Sequence, residues 1–160
     1  MGRFSELGQN KNLIMLKLIE NQDILKCLVN NQPNFLDYPL PSNFDPYSLI
    51  YTQIFPYRYV PDIQTEPKTF ITMRFNYSPN GVTFKNGSIY FYIITHQSLI
   101  RTDYGMLRYD FLINKIDEVF NLSRDIGIGK LPFYDMSDFL VDNEGKWLGA
   151  YIAYKSTEFQ

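Results

Sequence analysis

Ser88-Ile-Tyr-Phe-Tyr-Ile-Ile-Thr-His96 and the stretch behind it, down to Asn121, decide the fold. The first run is dense in β-branched and aromatic residues, as a pleated, half-buried strand prefers. Arg101-Thr-Asp-Tyr-Gly105 then breaks the pattern. From Met106 the period changes: Tyr109, Leu112, Ile113, Ile116, Val119 and Phe120 recur at helical spacing. That spacing predicts a helix over Met106–Phe120 with those six side chains on one face. Arg108, Asp110, Asn114, Lys115, Asp117 and Glu118 fall on its wet side. A strand feeding a helix that packs back on its own sheet is the nucleus of the fold.

A chain of 160 residues predicts one domain, 1–160, with one core. Charged residues at 20% and apolar ones at 45% give an ordinary globular balance. Aromatic content is the unusual feature, with thirteen Tyr and thirteen Phe. Buried Tyr hydroxyls need partners, so either some rings lie at the surface as contact residues or they cap a small sheet. A net charge of −2 and a pI near 5.3 provide no global field for nucleic-acid phosphates. The single cysteine, Cys27, excludes an internal disulfide and a multi-cysteine zinc site, and reads as a small buried hydrophobe. No apolar run has bilayer-spanning length, and Met1–Glu6 shows neither a signal-peptide core nor a myristoylation pattern. The expectation is a cytoplasmic protein with no membrane contact.

Outward from the nucleus, residues 1–9 read as a loose arm. Asn10–Asn31 is helical, either as two short helices with a tight turn at Asn21-Gln22-Asp23 or as one kinked helix. Its apolar residues cover more than half the circumference. From Pro33 to Pro67, seven of the nine prolines alternate with rings, predicting an ordered, extended segment with one helical turn near Tyr47–Gln53. Thr69–Phe75 alternates, placing Ile71, Met73 and Phe75 on one face of a strand and Thr72 and Arg74 on the other. Pro79-Asn-Gly81 turns the chain. Asn86-Gly87, between Val82–Lys85 and Ser88–Phe91, predicts a second tight hairpin. Gly127–Lys130 reads as a loop. Strand-like residues to Val141, a turn at Asn143–Lys146 and a last strand over Trp147–Tyr154 close the chain. The expected class is α+β: an antiparallel sheet of four to five strands with helices packed on one face.

Chemistry-bearing residues are sparse. His96 is the only histidine, close in sequence to Asp103, and no nucleophile is spaced to use it as a general base. Asp135, Asp138, Asp142 and Glu144 miss the calcium-loop spacing and read as a solvated acidic hairpin. Gly127-Ile-Gly-Lys130 lacks the glycine gap and the hydroxyl residue of a phosphate loop. Tyr57-Arg58-Tyr59 fits a protein contact better than a stack on single-stranded nucleic acid, because the pI opposes the latter. No metal or cofactor is expected.

The order of elements resembles the tail terminator group among the small neck and tail-completion proteins of long-tailed bacteriophages. The similarity rests on the paired helices Leu13–Ile19 and Ile24–Val29 and on Ile54-Phe-Pro-Tyr-Arg-Tyr-Val-Pro-Asp62. It continues through strand Phe70–Phe75, the Asn86-Gly87 hairpin, strand Ile89–His96, helix Met106–Phe120 and the closing hairpin Phe139–Tyr154. The resemblance implies a non-enzymatic virion protein, made in the host cytoplasm, that forms a ring of roughly six copies around the DNA channel. It would end tail-tube growth and join tail to head, touching the tube protein, the head-completion or connector protein, and passing double-stranded DNA without sequence-specific binding. Interface candidates are Phe55, Tyr57, Arg58, Tyr59, Asn86, Gly87, Arg101 and Tyr104. Asp135, Asp138, Asp142 and Glu144 would line the channel. Related folds serve as head-completion rings. An enzyme built on His96 and Asp103, or an adaptor using the tyrosine-rich loop, are the readings from other classes.

Overall fold

The computed structural model describes residues 7–80, 84–123 and 130–159. Helices α1 (Leu7–Ile19) and α2 (Gln22–Val29) lead the chain, and α3 (Arg108–Phe120) interrupts five strands. These are β1 (Ile54–Phe55), β2 (Thr69–Asn80), β3 (Phe84–His96), β4 (Phe133–Leu140) and β5 (Trp147–Phe159). The sheet order is β1-β2-β3-β5-β4. All pairings are antiparallel except the two-residue β1, which runs parallel to β2. The class is α+β as expected, with a mixed rather than wholly antiparallel sheet.

Strand alternation sorts the sheet into two faces. Ile71, Met73, Ile89, Phe91, Ile93, Ala150, Ile152 and Tyr154 share one cluster with the buried residues of all three helices. Phe91 stacks on Phe120 of α3 with ring centroids 4.9 Å apart. Phe55, Phe70, Ile94 and Trp147 form a separate cluster on the other face, with Tyr59 and Phe139 beside it. The helices therefore cover one face, and the Pro/aromatic segment reaches the other. That segment is built from short 3-10 turns at Phe35–Asp37 and Pro46–Leu49 and from β1, so the helical turn near Tyr47 is shorter than expected.

Two leading helices form, not one kinked helix. Asn21 explains the break: its side-chain oxygen accepts the Ile24 N–H at 3.1 Å, satisfying an orphan donor at the start of α2. Leu7–Gln9 belong to α1 and not to a loose arm; residues 1–6 lie outside the described residues. Helix α3 starts at Arg108, two residues later than its periodicity suggests. Thr102 Oγ1 donates to the Met106 carbonyl and Gly105 takes φ +76°, so Arg101–Leu107 is held as a loop. The larger correction concerns Arg108 itself, which is fully buried instead of solvated.

Asn86-Gly87 is not a hairpin turn. β3 runs straight through it, with Asn86 opposite Ser78 and Gly87 opposite Tyr77. The ladder between β2 and β3 extends from Thr69↔Thr95 to Asn80↔Phe84, so the chain reverses between Asn80 and Phe84. A strand of 12 residues whose apolar positions stay in register outweighs one local turn preference. The dipeptide is instead absorbed as an irregularity, where the register with β5 shifts between Lys85 and Gly87. Val82 and Thr83 of the expected strand, and Gly127–Gly129 of the expected loop, lie outside the described residues. The closing hairpin forms, and β5 runs on to Phe159.

Candidate functional site

The helix-free face of the sheet carries a lattice of rings. Tyr90 and Tyr92 alternate on β3 and both meet Tyr151 on β5, at 5.7 and 5.8 Å between centroids. Phe139 of β4 meets Tyr92 edge-on at 5.8 Å. Arginines cover two of these rings: Arg58 lies 4.0 Å from the Tyr92 centroid and Arg74 4.6 Å from that of Tyr90. The far end of the Phe139 ring rests against Gly149, where an added Cβ would come within 2.5 Å of it. Only glycine admits that ring, which is what ties β4 to the aromatic face. Tyr151 donates its hydroxyl to Asp135 at 2.7 Å; this bond first, then burial, pushes the phenol up to about 12.

On the helix side, α3 and β4 enclose a groove of about 540 Å³. Ile113, Ile152, Phe133 and Met136 line it, and Asp110 and Asp117 stand among them. Tyr154 donates to Asp117 at 2.7 Å; burial, and then this bond, hold the phenol well above its usual range. Burial also raises the Asp110 carboxyl, and the nearby Asp138 charge adds to the shift. β4 is the outer strand of the sheet, and all of its residues except Phe139 are exposed. Leu140 is 80% exposed, the most open large apolar side chain among the described residues.

The residues singled out by sequence divide between these surfaces and the interior. Tyr57 is exposed, and Arg58 is exposed apart from its ring contact. Phe55 is buried and stacked on Tyr59 at 4.2 Å, so its ring is spent inside the chain. Tyr104 is likewise an internal tie: its hydroxyl accepts the Leu36 N–H at 2.8 Å and its ring meets Phe35 edge-on. Gly87 is buried in the sheet, while Arg101 is exposed. His96 uses Nδ1 to accept the Ser98 N–H and sits edge-on to Trp147 at 5.0 Å. Cys27 is buried, and burial raises its thiol to about 12.

The four acidic residues do not act alike. Asp135 and Asp138 project from β4, on opposite faces. Glu144 pairs with Lys146 at 3.7 Å. Asp142 is a turn former whose carboxylate accepts the N–H groups of Glu144, Lys146 and Trp147. Burial alone would raise its pKa, but those backbone donors, with Gly145, outweigh it and hold the carboxyl below its usual range. Its contribution to stability is therefore present above the ordinary carboxylate pKa and lost as pH falls through the lowered one. Acidification is expected to lower the amide protection factors, taken against the intrinsic exchange rate at each pH, at Glu144 and Trp147, and Asp142→Ala is expected to leave both unprotected at every pH. Protection factors in that variant as high as in the wild type would contradict the turn role. Among the described residues no cluster of His, Cys, Asp and Glu is arranged to hold a metal. No helix among them is long and apolar enough to cross a membrane.

Residues 21–156, from the cap of α2 to the last strand, match the YomW family. The chain belongs to that family. No curated protein sequence matches it. The YomW match spans both surfaces, the ring lattice and the α3–β4 groove. Sequence reasoning missed the groove in this YomW chain because its parts are far apart in the sequence. The only local signal was Phe133-Tyr-Asp-Met-Ser-Asp-Phe-Leu140, a strand with apolar residues at both ends and none of the clean alternation of a half-buried one.

Proposed function

We propose that this YomW chain is a structural subunit of a phage neck: a ring protein that ends tail-tube growth and joins tail to head around the DNA channel. The observation that carries this reading is that opposite edges of one sheet present unlike apolar surfaces. At the β4 edge, Phe133, Tyr134, Met136 and Leu140 are exposed. At the β1 edge, the Pro/aromatic segment exposes Tyr47, Tyr51, Tyr57 and Val60. A closed ring needs two different complementary faces per subunit, and a two-fold dimer would need only one. Exposed tyrosines and arginines are the residue types enriched at the centres of protein interfaces. The phage-derived character of the family agrees with a virion role. Binding of the tube protein on one side and the connector protein on the other, with DNA passing through, belongs to the same proposal.

Deleting the gene from the phage that carries it tests the reading. The expected result is unjoined heads together with tails of irregular, excessive length, and purified wild-type particles that contain the chain at the neck. Normal-length tails still joined to heads would overturn it. Unjoined heads beside tails of normal length would move the subunit to the head-completion ring.

A further inference from the structure

β4 and β2 are the long strands nearest the two ends of the sheet, and both leave backbone uncovered. Among the described residues, β4 pairs only with β5. β2 is covered by β1 at Ile71 and Thr72, and among the described residues no strand pairs with it on that side beyond Thr72. The Ile71 N–H donates to Gln53 at 2.8 Å, away from β3. Strand alternation aims the Met73 and Phe75 amides the same way. Pro79 stands two positions further along the same row and has no N–H, so it ends the row of donors. Natural sheets blunt edges with lysines, prolines, other charges or bulges; β4 has no basic residue or proline, and carries two aspartates and a register irregularity between Phe133 and Asp135.

The charges at the two edges are opposite. β4 carries Asp135 and Asp138, with Asp110 of α3 behind Asp138, and no basic residue. Lys155 of β5 lies over the Tyr134 ring, 5.1 Å from its centroid. β2 and the α1 helix contain no acidic residue. They present Arg74 on the helix-free face and, on the helix side, Lys11 at 5.6 Å from the Phe75 ring.

We propose that the β4 edge of one copy pairs with the β2 edge of a second copy, continuing the sheet from subunit to subunit; this rests on the ring reading and assigns its contact. β2 and β5 both run antiparallel to β3, and β4 runs antiparallel to β5. Rotating a copy about an axis along the strands therefore brings its β2 antiparallel to β4 and keeps the helices on one side. Matching the edges over their full length sets Leu140 across from Met73, Phe139 across from Arg74 and Asp138 across from Phe75. Asp138 then meets Lys11 on the helix side, and Arg74 meets the Phe139 ring on the other. Main-chain hydrogen bonds supply the affinity and the charges fix the register.

Analytical ultracentrifugation of the full chain across a concentration series reads the contact. Lys11→Glu and Asp138→Lys are each expected to weaken association about tenfold, and the double swap to restore it. A mixture of Arg74→Cys and Phe139→Cys proteins is expected to form a disulfide-linked dimer on mild oxidation, and neither protein alone should. A wild-type chain that stays monomeric at every concentration, swaps without effect, or a mixture that does not cross-link overturns the pairing. If particles carry the chain at the neck while the swaps do nothing, the pairing fails and the ring reading stands. If the swaps behave as expected while particles lack the chain, the pairing stands and the ring reading fails.

Discussion

Replacing Arg108 with methionine is expected to destabilise the fold by about 3–5 kcal/mol, the range for leaving a buried polar network without its charged partner. Arg108 is 0% exposed, and no carboxylate among the described residues pairs with it. Its Nε donates to the Leu99 carbonyl at 2.8 Å. Its two terminal nitrogens donate to the carbonyls of Cys27, Asn30, Asn31 and Gln32 at 2.8–3.3 Å. These are carbonyls at and just past the end of α2, where the backbone has no helical partners left and the helix dipole is negative. The guanidinium also lies 4.6 Å from the Phe35 centroid. One side chain on α3 thus caps α2 and fixes the chain leaving it. Methionine fills part of the volume and satisfies none of the carbonyls. Lysine keeps the charge but not the planar fork, so Arg108→Lys is expected to recover no more than about half of the loss. Urea midpoints for the two variants check this, and a cost below about 1 kcal/mol for methionine would contradict the capping role. Cys27, whose carbonyl is one of the acceptors, supplies a second readout. It should become reactive to thiol reagents in the methionine variant and stay protected in the wild type.

Arg108 also marks where sequence reading stops. The period of α3 was legible because burial of Leu112, Ile113, Ile116 and Phe120 depends on spacing alone. A cationic residue beside that stripe looks solvated unless the acceptors are known, and all of them but the Leu99 carbonyl lie 76–81 residues earlier in the chain. Asn21 was readable for the opposite reason: a cap acts on the residue three positions ahead. Asn86-Gly87 shows the third case, where a valid local preference loses to a long ladder. The exposure of the interface candidates follows the same rule. Composition singles out Phe55, Tyr57 and Arg58 alike and cannot tell the exposed Tyr57 from the buried Phe55 two residues away. The α3–β4 groove was invisible because Ile113, Met136 and Ile152 meet only once the sheet order is known.

Trp147→Ala is expected to cost about 3–5 kcal/mol, and Trp147→Phe only about 1 kcal/mol. Trp147 is 0% exposed at the start of β5, on the face without helices. Phe70 packs on it at 5.8 Å, and Phe70 in turn supports Tyr59 at 5.3 Å and Phe55 at 6.3 Å. Deleting the indole opens a cavity beneath the rings that hold β1 and the Pro/aromatic segment to the sheet. The indole N–H finds no acceptor among the described residues, so phenylalanine surrenders volume without losing a hydrogen bond. Tryptic cleavage after Arg58 should separate the two effects. That bond is expected to be cut several-fold faster in the alanine variant at matched global stability, because the segment loses its floor while the helix-side core is intact. Equal cleavage rates would mean that the segment is held by β1 and its own prolines alone. The same alanine variant should associate more weakly than its stability predicts if the Tyr57–Tyr59 segment is one of the two ring faces. A single side chain in a small second core would then set the geometry of a surface it never reaches.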